Sequence, residues 1–179
     1  MFLIIHNPLS SNKKSKKRTQ KIVKFCQKNN IPFNLRSTLK IDNLNTFLDK
    51  NPQITDIIYC GGDGSFNYLV NHVDVNAITQ KIHLAQSGSG NDFLRTLKRL
   101  KYSDISIGQA NNNTKPVRFI NGCGLGVDAA VCHFVNADTK KNKLSYFINT
   151  FKAISQFHPT SMDVTVDGKI HHFSKTFFV

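Results

Sequence analysis

The chain has 179 residues, 40% hydrophobic and 20% charged, with 24 Lys and Arg against 11 Asp and Glu for a net charge of +13. That balance is globular rather than disordered, and the length allows one core, or one domain with part of a second, excluding a large multidomain assembly. No apolar run reaches the roughly 18 residues that cross a bilayer, and the apolar start is too short and lacks the charged head of a signal peptide, so a cytoplasmic location is expected.

In chain order, Met1 to His6 reads as a strand ended by the turn cluster Asn7-Pro8-Leu9-Ser10-Ser11-Asn12. A basic helix follows, with Ile22, Val23 and Cys26 as its apolar stripe. Ile31 to Arg36 is a second expected strand, and Leu44, Phe47 and Leu48 stand at helical spacing after a candidate cap, Asp42. Ile57 to Cys60 is a buried-strand pattern running into Gly61-Gly62-Asp63-Gly64-Ser65 and then into a helix carrying Phe66, Leu69, Val70 and Val73. Ile82 to Ala85 repeats the pattern before the small-residue loop 87–92 and a helix with Phe93, Leu94 and Leu97.

Strand and helix alternating in this way predict a parallel sheet covered by helices, with the ligand crevice outside the carboxyl ends of the strands. From about Lys101 the pattern changes to short β-like runs (105–108, 117–121, 162–166, 170–173 and 176–179), with Asp167-Gly168 as a hairpin turn. One helix interrupts them, with Leu144, Phe147, Ile148, Phe151 and Ile154 on one face. The expected organisation is an α/β nucleotide-binding domain over 1–112 followed by the start of a β-rich substrate domain over 113–179. Because the sequence ends inside an apolar strand, the chain is expected to be a fragment of a longer protein.

Cys26, Cys60, Cys123 and Cys132 contain no C-x-x-C and read as small core residues or buried thiols; the scattered histidines argue against a metal site. The basic excess implies an anionic partner, whether nucleotide, membrane surface or nucleic acid. Eight of the 24 cations lie between Lys13 and Lys28. Such a run is equally a solvated helix face, and the absence of zinc-finger spacing or an aromatic-glycine strand pattern counts against nucleic acid.

Glycine-rich loops at strand ends let phosphates approach backbone N–H groups at the positive end of the next helix, and 61–65 and 87–92 both fit. Asp63, between two glycines, is placed to hold a metal ion or orient a hydroxyl; taken alone, the loop is equally an ordinary turn with Asp63 as a helix cap. It is neither a Walker loop nor a G-x-G-x-x-G fingerprint. The combination is more specific. Asn7-Pro8-Leu9-Ser10, then 61–67 (Gly-Gly-Asp-Gly-Ser-Phe-Asn), then 88–95 (Gly-Ser-Gly-Asn-Asp-Phe-Leu-Arg), then Phe119-Ile120-Asn121 with 124–131 (Gly-Leu-Gly-Val-Asp-Ala-Ala-Val) occur in that order. This resembles the diacylglycerol kinase catalytic-domain family, the bacterial lipid kinases related to sphingosine kinases. The first glycine loop alone would also suit NAD kinase or phosphofructokinase.

The resemblance implies that Asn7, Ser10 and Thr38 line the nucleotide site. It implies that Gly62, Asp63, Gly64, Ser65 and Asn67, with Ser89, embrace the phosphates, and that Asp63 acts catalytically with Mg²⁺; it names no metal ligand set. Asp128 matches a position near the lipid head group in the sphingosine-kinase relatives, and is equally a helix cap. The family often has Gly where this chain has Ser11, and usually Glu where it has Tyr68. The family's general base lies in the later β domain, beyond Val179. The implied function is ATP-dependent transfer of the γ-phosphoryl group to a lipid hydroxyl such as that of diacylglycerol, at the anionic inner membrane face, with a homodimer as a candidate assembly. The alternatives are a soluble kinase of the NAD kinase type and an inactive nucleotide-binding or membrane-surface module.

Overall fold

The computed structural model describes residues 1–8, 14–87, 90–100, 105–111, 115–137 and 143–179. They divide into two compact units, Met1–Gly122 and Cys123–Val179. In the first, β1 (Phe2–His6), β2 (Phe33–Ser37), β3 (Asp56–Gly61) and β4 (Lys81–Gln86) form a parallel sheet in the order β2-β1-β3-β4. This is the expected α/β architecture.

Alternation along the central strands sends side chains to both faces. On one face Leu3, Ile5, Ile57 and Tyr59 pack with α2 (Leu44–Asp49), α3 (Asp63–His72) and α4 (Asp92–Leu100) through Leu44, Leu48, Phe66, Leu69 and Phe93. On the other, Ile4 and Cys60 meet Cys26, Ile22 and Val23 of α1 (Lys14–Lys28). The inward stripe of the basic helix is therefore the one its sequence spacing predicts.

Element ends differ from the sequence expectation for local reasons. Strand β2 starts at Phe33 rather than Ile31 because Ile31 belongs to the end of α1. Its N–H donates to the Cys26 carbonyl at 2.9 Å, Asn30 donates to Gln27 at 3.3 Å, and Asn30 takes φ 50°. This is a Schellman cap, with the Ile31 side chain packed beside Cys26. The cap of α2 is Asn43, whose side chain accepts the Thr46 N–H at 3.0 Å, and not Asp42.

Beyond α4, the apolar run 105–108 is not the strand expected. Strand β5 is Gly108–Ala110, antiparallel to β6 (Val117–Phe119), and Ile105 and Ile107 line an apolar cavity instead. Gly108 is needed there because the Phe119 ring lies where a Cβ would project. Strand β6 belongs to the first unit: the Asn71 side chain of α3 donates to the Arg118 carbonyl at 2.7 Å and accepts the Arg118 N–H at 2.8 Å. One amide side chain thus pairs with β6 as a neighbouring strand would.

The second unit contains α5 (Val127–Ala137), α6 (Lys143–Gln156) and the hairpin β7 (Thr160–Val166) and β8 (Lys169–Thr176). The expected Asp167-Gly168 turn is present, with φ 49° and 80°. Helix α5 is signalled in the sequence only by Asp128 as a candidate helix cap, and the one helix expected in this region is α6. The apolar residues named on α6 do share a face, but that face is exposed, and the helix buries Ala153 while packing against α5. The expected terminal strand 176–179 is also modified. Strand β8 runs to Thr176, and Leu125 and Val179 then exchange two backbone hydrogen bonds of 3.0 Å. Cys123 and Cys132 are exposed, so only Cys26 and Cys60 are the buried thiols expected. Among the described residues no helix is long and apolar enough to cross a membrane.

Candidate functional site

Strands β3 and β4 are adjacent and parallel, so the two small-residue loops leave the sheet side by side. They are bonded directly: Ser87 N–H donates to Gly61 at 2.7 Å and Asp63 N–H to Gly90 at 3.1 Å. Gly61 has no alternative, because a Cβ there would meet the Ser65 Cβ. Helix α3 is capped at its start by Gly62 with no side-chain bond. Asp63 therefore does not cap its own helix. Its carboxylate crosses to α4, accepting the Asp92 N–H at 2.9 Å and the Phe93 N–H at 3.2 Å. Asp92 in turn holds Arg95 at 3.2 Å, both exposed.

The carboxyl ends of β1, β2 and β3 converge on a cleft of about 290 Å³. Asn7 follows β1, Thr38 follows β2, and Gly64 and Ser65 stand in the first turn of α3; all four line it, with Leu39, Tyr59 and Tyr68. The Thr38 turn is set by Ser37, whose hydroxyl accepts the Leu39 N–H at 3.2 Å. The Asp63 and Ser65 amides are taken by the Gly90 and Gly62 carbonyls, so the exposed Gly64 is the member of the turn best placed to meet a phosphate.

Burial pushes the Tyr59 hydroxyl up to about 12, with repulsion from Tyr68 adding to it, so the cleft's inner wall is neutral. Burial likewise pushes the Cys60 thiol up to about 11, against the hydrogen bond with Thr19. His6, just before Asn7, is held below 6.5 by burial and then by the charge of Lys16.

The structure thus brings together Asn7, Thr38, Gly64 and Ser65, while Gly62 and Asp63 form the turn towards α4. Asn67 lies one helical turn beyond Asp63, half-buried, its carbonyl accepting from Asn71 at 2.8 Å, and does not line the cleft. Ser10 and Ser89 lie outside the described residues. Asp128 is in the second unit, in the first turn of α5, where its carboxylate accepts the Ala129 N–H at 2.8 Å and crowds Gly124. Sequence reasoning missed Leu39 and Tyr59 as cleft residues, and also Arg18, whose guanidinium donates to the Gln86 carbonyl at 3.0 Å and so braces the end of β4. A cation in a basic run carries no signal of which one turns inward.

A parallel sheet whose loops beyond β1, β2 and β3 line one crevice has its candidate ligand site where open α/β sheets hold ligands. The chain matches the diacylglycerol kinase catalytic domain over residues 1–121 and belongs to that family. This makes it a kinase domain, and a kinase domain implies ATP as phosphate donor. No curated protein matches the chain significantly.

Proposed function

We propose that the chain is the nucleotide-binding core of an ATP-dependent lipid kinase that transfers the γ-phosphoryl group to a lipid hydroxyl such as that of diacylglycerol, at the cytoplasmic membrane surface. The observation carrying this reading is the gathering of Asn7, Thr38, Gly64 and Ser65 around one cleft beyond three parallel strand ends. Phosphoryl transfer is mostly positioning and charge neutralisation, which glycine turns and a helix N-terminus supply. The exposed Gly64 leaves room for a phosphate to approach the start of α3; the bonds of Gly61 and Asp63 with Ser87 and Gly90 hold the two loops together.

Among the described residues there is no group of three metal-ligating side chains. Mg²⁺ needs none, being held by one or two carboxylates with phosphate oxygens and waters. The Asp63 carboxylate fits that role: its two oxygens accept one N–H each, and each has a further lone pair. Bound there, the ion would neutralise phosphate charge. Asp128 remains the candidate contact to the lipid head group.

Incubating the chain with γ-labelled ATP, Mg²⁺ and diacylglycerol in anionic mixed micelles tests the reading, with NAD as a parallel acceptor. Label in the lipid supports it. Label in NAD alone makes the chain a soluble kinase, saturable ATP binding without transfer leaves the nucleotide-binding core without the kinase activity, and no saturable ATP binding overturns the reading.

A further inference from the structure

Two large apolar side chains at the cleft are not used by the core: Tyr68 is 52% exposed and Leu39 is 62% exposed. Both line the same opening as Thr38 and Gly64, from different elements. Together they give the cleft an apolar rim beside the hydroxyl and backbone groups of Thr38, Gly64 and Ser65, the combination of apolar wall and few polar groups that ligand sites carry. The Tyr68 ring is also fixed in place. His72, one turn along α3, lies parallel to it with ring centroids 3.7 Å apart and planes 13° apart. The imidazole is itself held, its Nδ1–H donating to the Tyr68 carbonyl at 2.9 Å. Tyr68 is thus a rigid aromatic plate, backed on one face and open on the other.

Its position relative to the phosphate turn selects the ligand group. Tyr68 lies four residues after Gly64, on the same side of α3 and about 6 Å along the axis. A phosphate seated at the helix start therefore leaves a ribose and base to extend towards Tyr68, and Leu39 faces that space from the β2 side. Resting on the nucleotide-site reading above, we propose that Tyr68, where the family usually carries Glu, is the base-stacking residue of this cleft, holding the purine ring between its open face and Leu39. The specificity of the cleft for a purine nucleotide over bare polyphosphate then comes from stacking rather than from a carboxylate contact to the sugar or metal.

The test is calorimetric binding of ATP and of inorganic tripolyphosphate to the whole chain and to Tyr68→Ala and Tyr68→Phe. Both variants should fold, since the side chain is half exposed, and circular dichroism checks this. Tyr68→Ala should weaken ATP roughly tenfold to a hundredfold, the size of one base–aromatic stack, and leave tripolyphosphate unchanged; Tyr68→Phe should keep both affinities. Ethenoadenosine triphosphate should be quenched by the wild type and by Tyr68→Phe, and not by Tyr68→Ala. Equal ATP affinity in wild type and Tyr68→Ala overturns the proposal, as does an equal loss for both ligands, which would make Tyr68 a support of the helix. Wild-type binding of tripolyphosphate without any preference for ATP overturns the stacking role while leaving the phosphate site standing, and binding of neither overturns both.

Discussion

Asp63 and Asp92 are joined by a 2.9 Å hydrogen bond in which a side chain that opens α3 accepts the backbone N–H that opens α4. Phe93 completes the arrangement at 3.2 Å, so one carboxylate satisfies two of the free N–H groups at the start of a helix that is not its own. Phe93 is also the residue of α4 buried in the main core, in ring contact with Phe66. The acid proposed to act on phosphates is therefore also a fastening between the two loops.

Asp63→Asn should consequently affect both stability and activity. An amide presents an N–H to one of the two donors, losing one charge-assisted bond, at a cost of about 1–2 kcal/mol. Urea unfolding measures that part. Phosphoryl transfer per folded molecule should fall further, by about a hundredfold, because the cradle shifts as well as losing its charge. A variant with wild-type stability would show that the cap contributes nothing.

The glycines of the turn separate by role. Gly61→Ala drives a methyl into the Ser65 Cβ, whose position is fixed by the helix backbone and which no side-chain rotation moves, so a loss of about 1–3 kcal/mol is expected. Gly64→Ala has no neighbour within 4 Å and stands inside a helix, where Ala is the better former. Its thermal midpoint should hold or rise while ATP affinity falls, since the new methyl stands at the cleft lining. Equal destabilisation by both substitutions would refute the separation.

Much of this was legible in the sequence because it rests on local signals. Short apolar runs alternating with stripes at helical spacing placed all four parallel strands, and small residues marked the loops that the sheet brings together. What was not legible depends on distant partners. Asp63 looks like the cap of the helix that follows it, and only the adjacency of β3 and β4 shows that it serves α4. The need for glycine at 108, in β5, comes from the ring of Phe119 on the paired strand. The Ala153 side of α6 is buried although its other face is far more apolar, an outcome that periodicity does not foresee.

His6 gives a pH dependence with a definite sign. Its folded value lies below 6.5, from burial first and the Lys16 charge second. The unfolded chain then binds a proton at pH values where the folded chain does not, so stability is full above 6.5 and falls as pH drops through the lower folded value. His6→Asn should flatten the stability curve in that window, as measured by urea midpoints from about pH 7 to about pH 5. An unchanged slope would mean that another group carries it.

The outer face of α1 is the remaining basic feature, and its geometry sharpens what it should do. Lys17, Lys21, Lys24 and Lys28 recur at intervals of three and four, so they form one stripe, exposed, with Phe25 beside them at 61% exposure. Thr19, Ile22, Val23 and Cys26 point the other way, towards the sheet. A cationic stripe with an exposed aromatic suits an anionic bilayer surface, where each Lys is worth about 1 kcal/mol. Replacing these four lysines by Gln should therefore weaken sedimentation with anionic vesicles by up to about a thousandfold, while leaving ATP affinity unchanged. Arg18 is kept, because it braces Gln86 at the edge of the loops, and Lys16 is kept because its charge acts on His6. Screening beyond about 8 Å at physiological ionic strength means that wild-type binding should also fall steeply with added salt. If the wild type sediments no better with anionic than with neutral vesicles, the stripe is a solvated face; if it prefers RNA to either, the stripe is a nucleic-acid surface and α1 gives no support to a membrane-borne substrate.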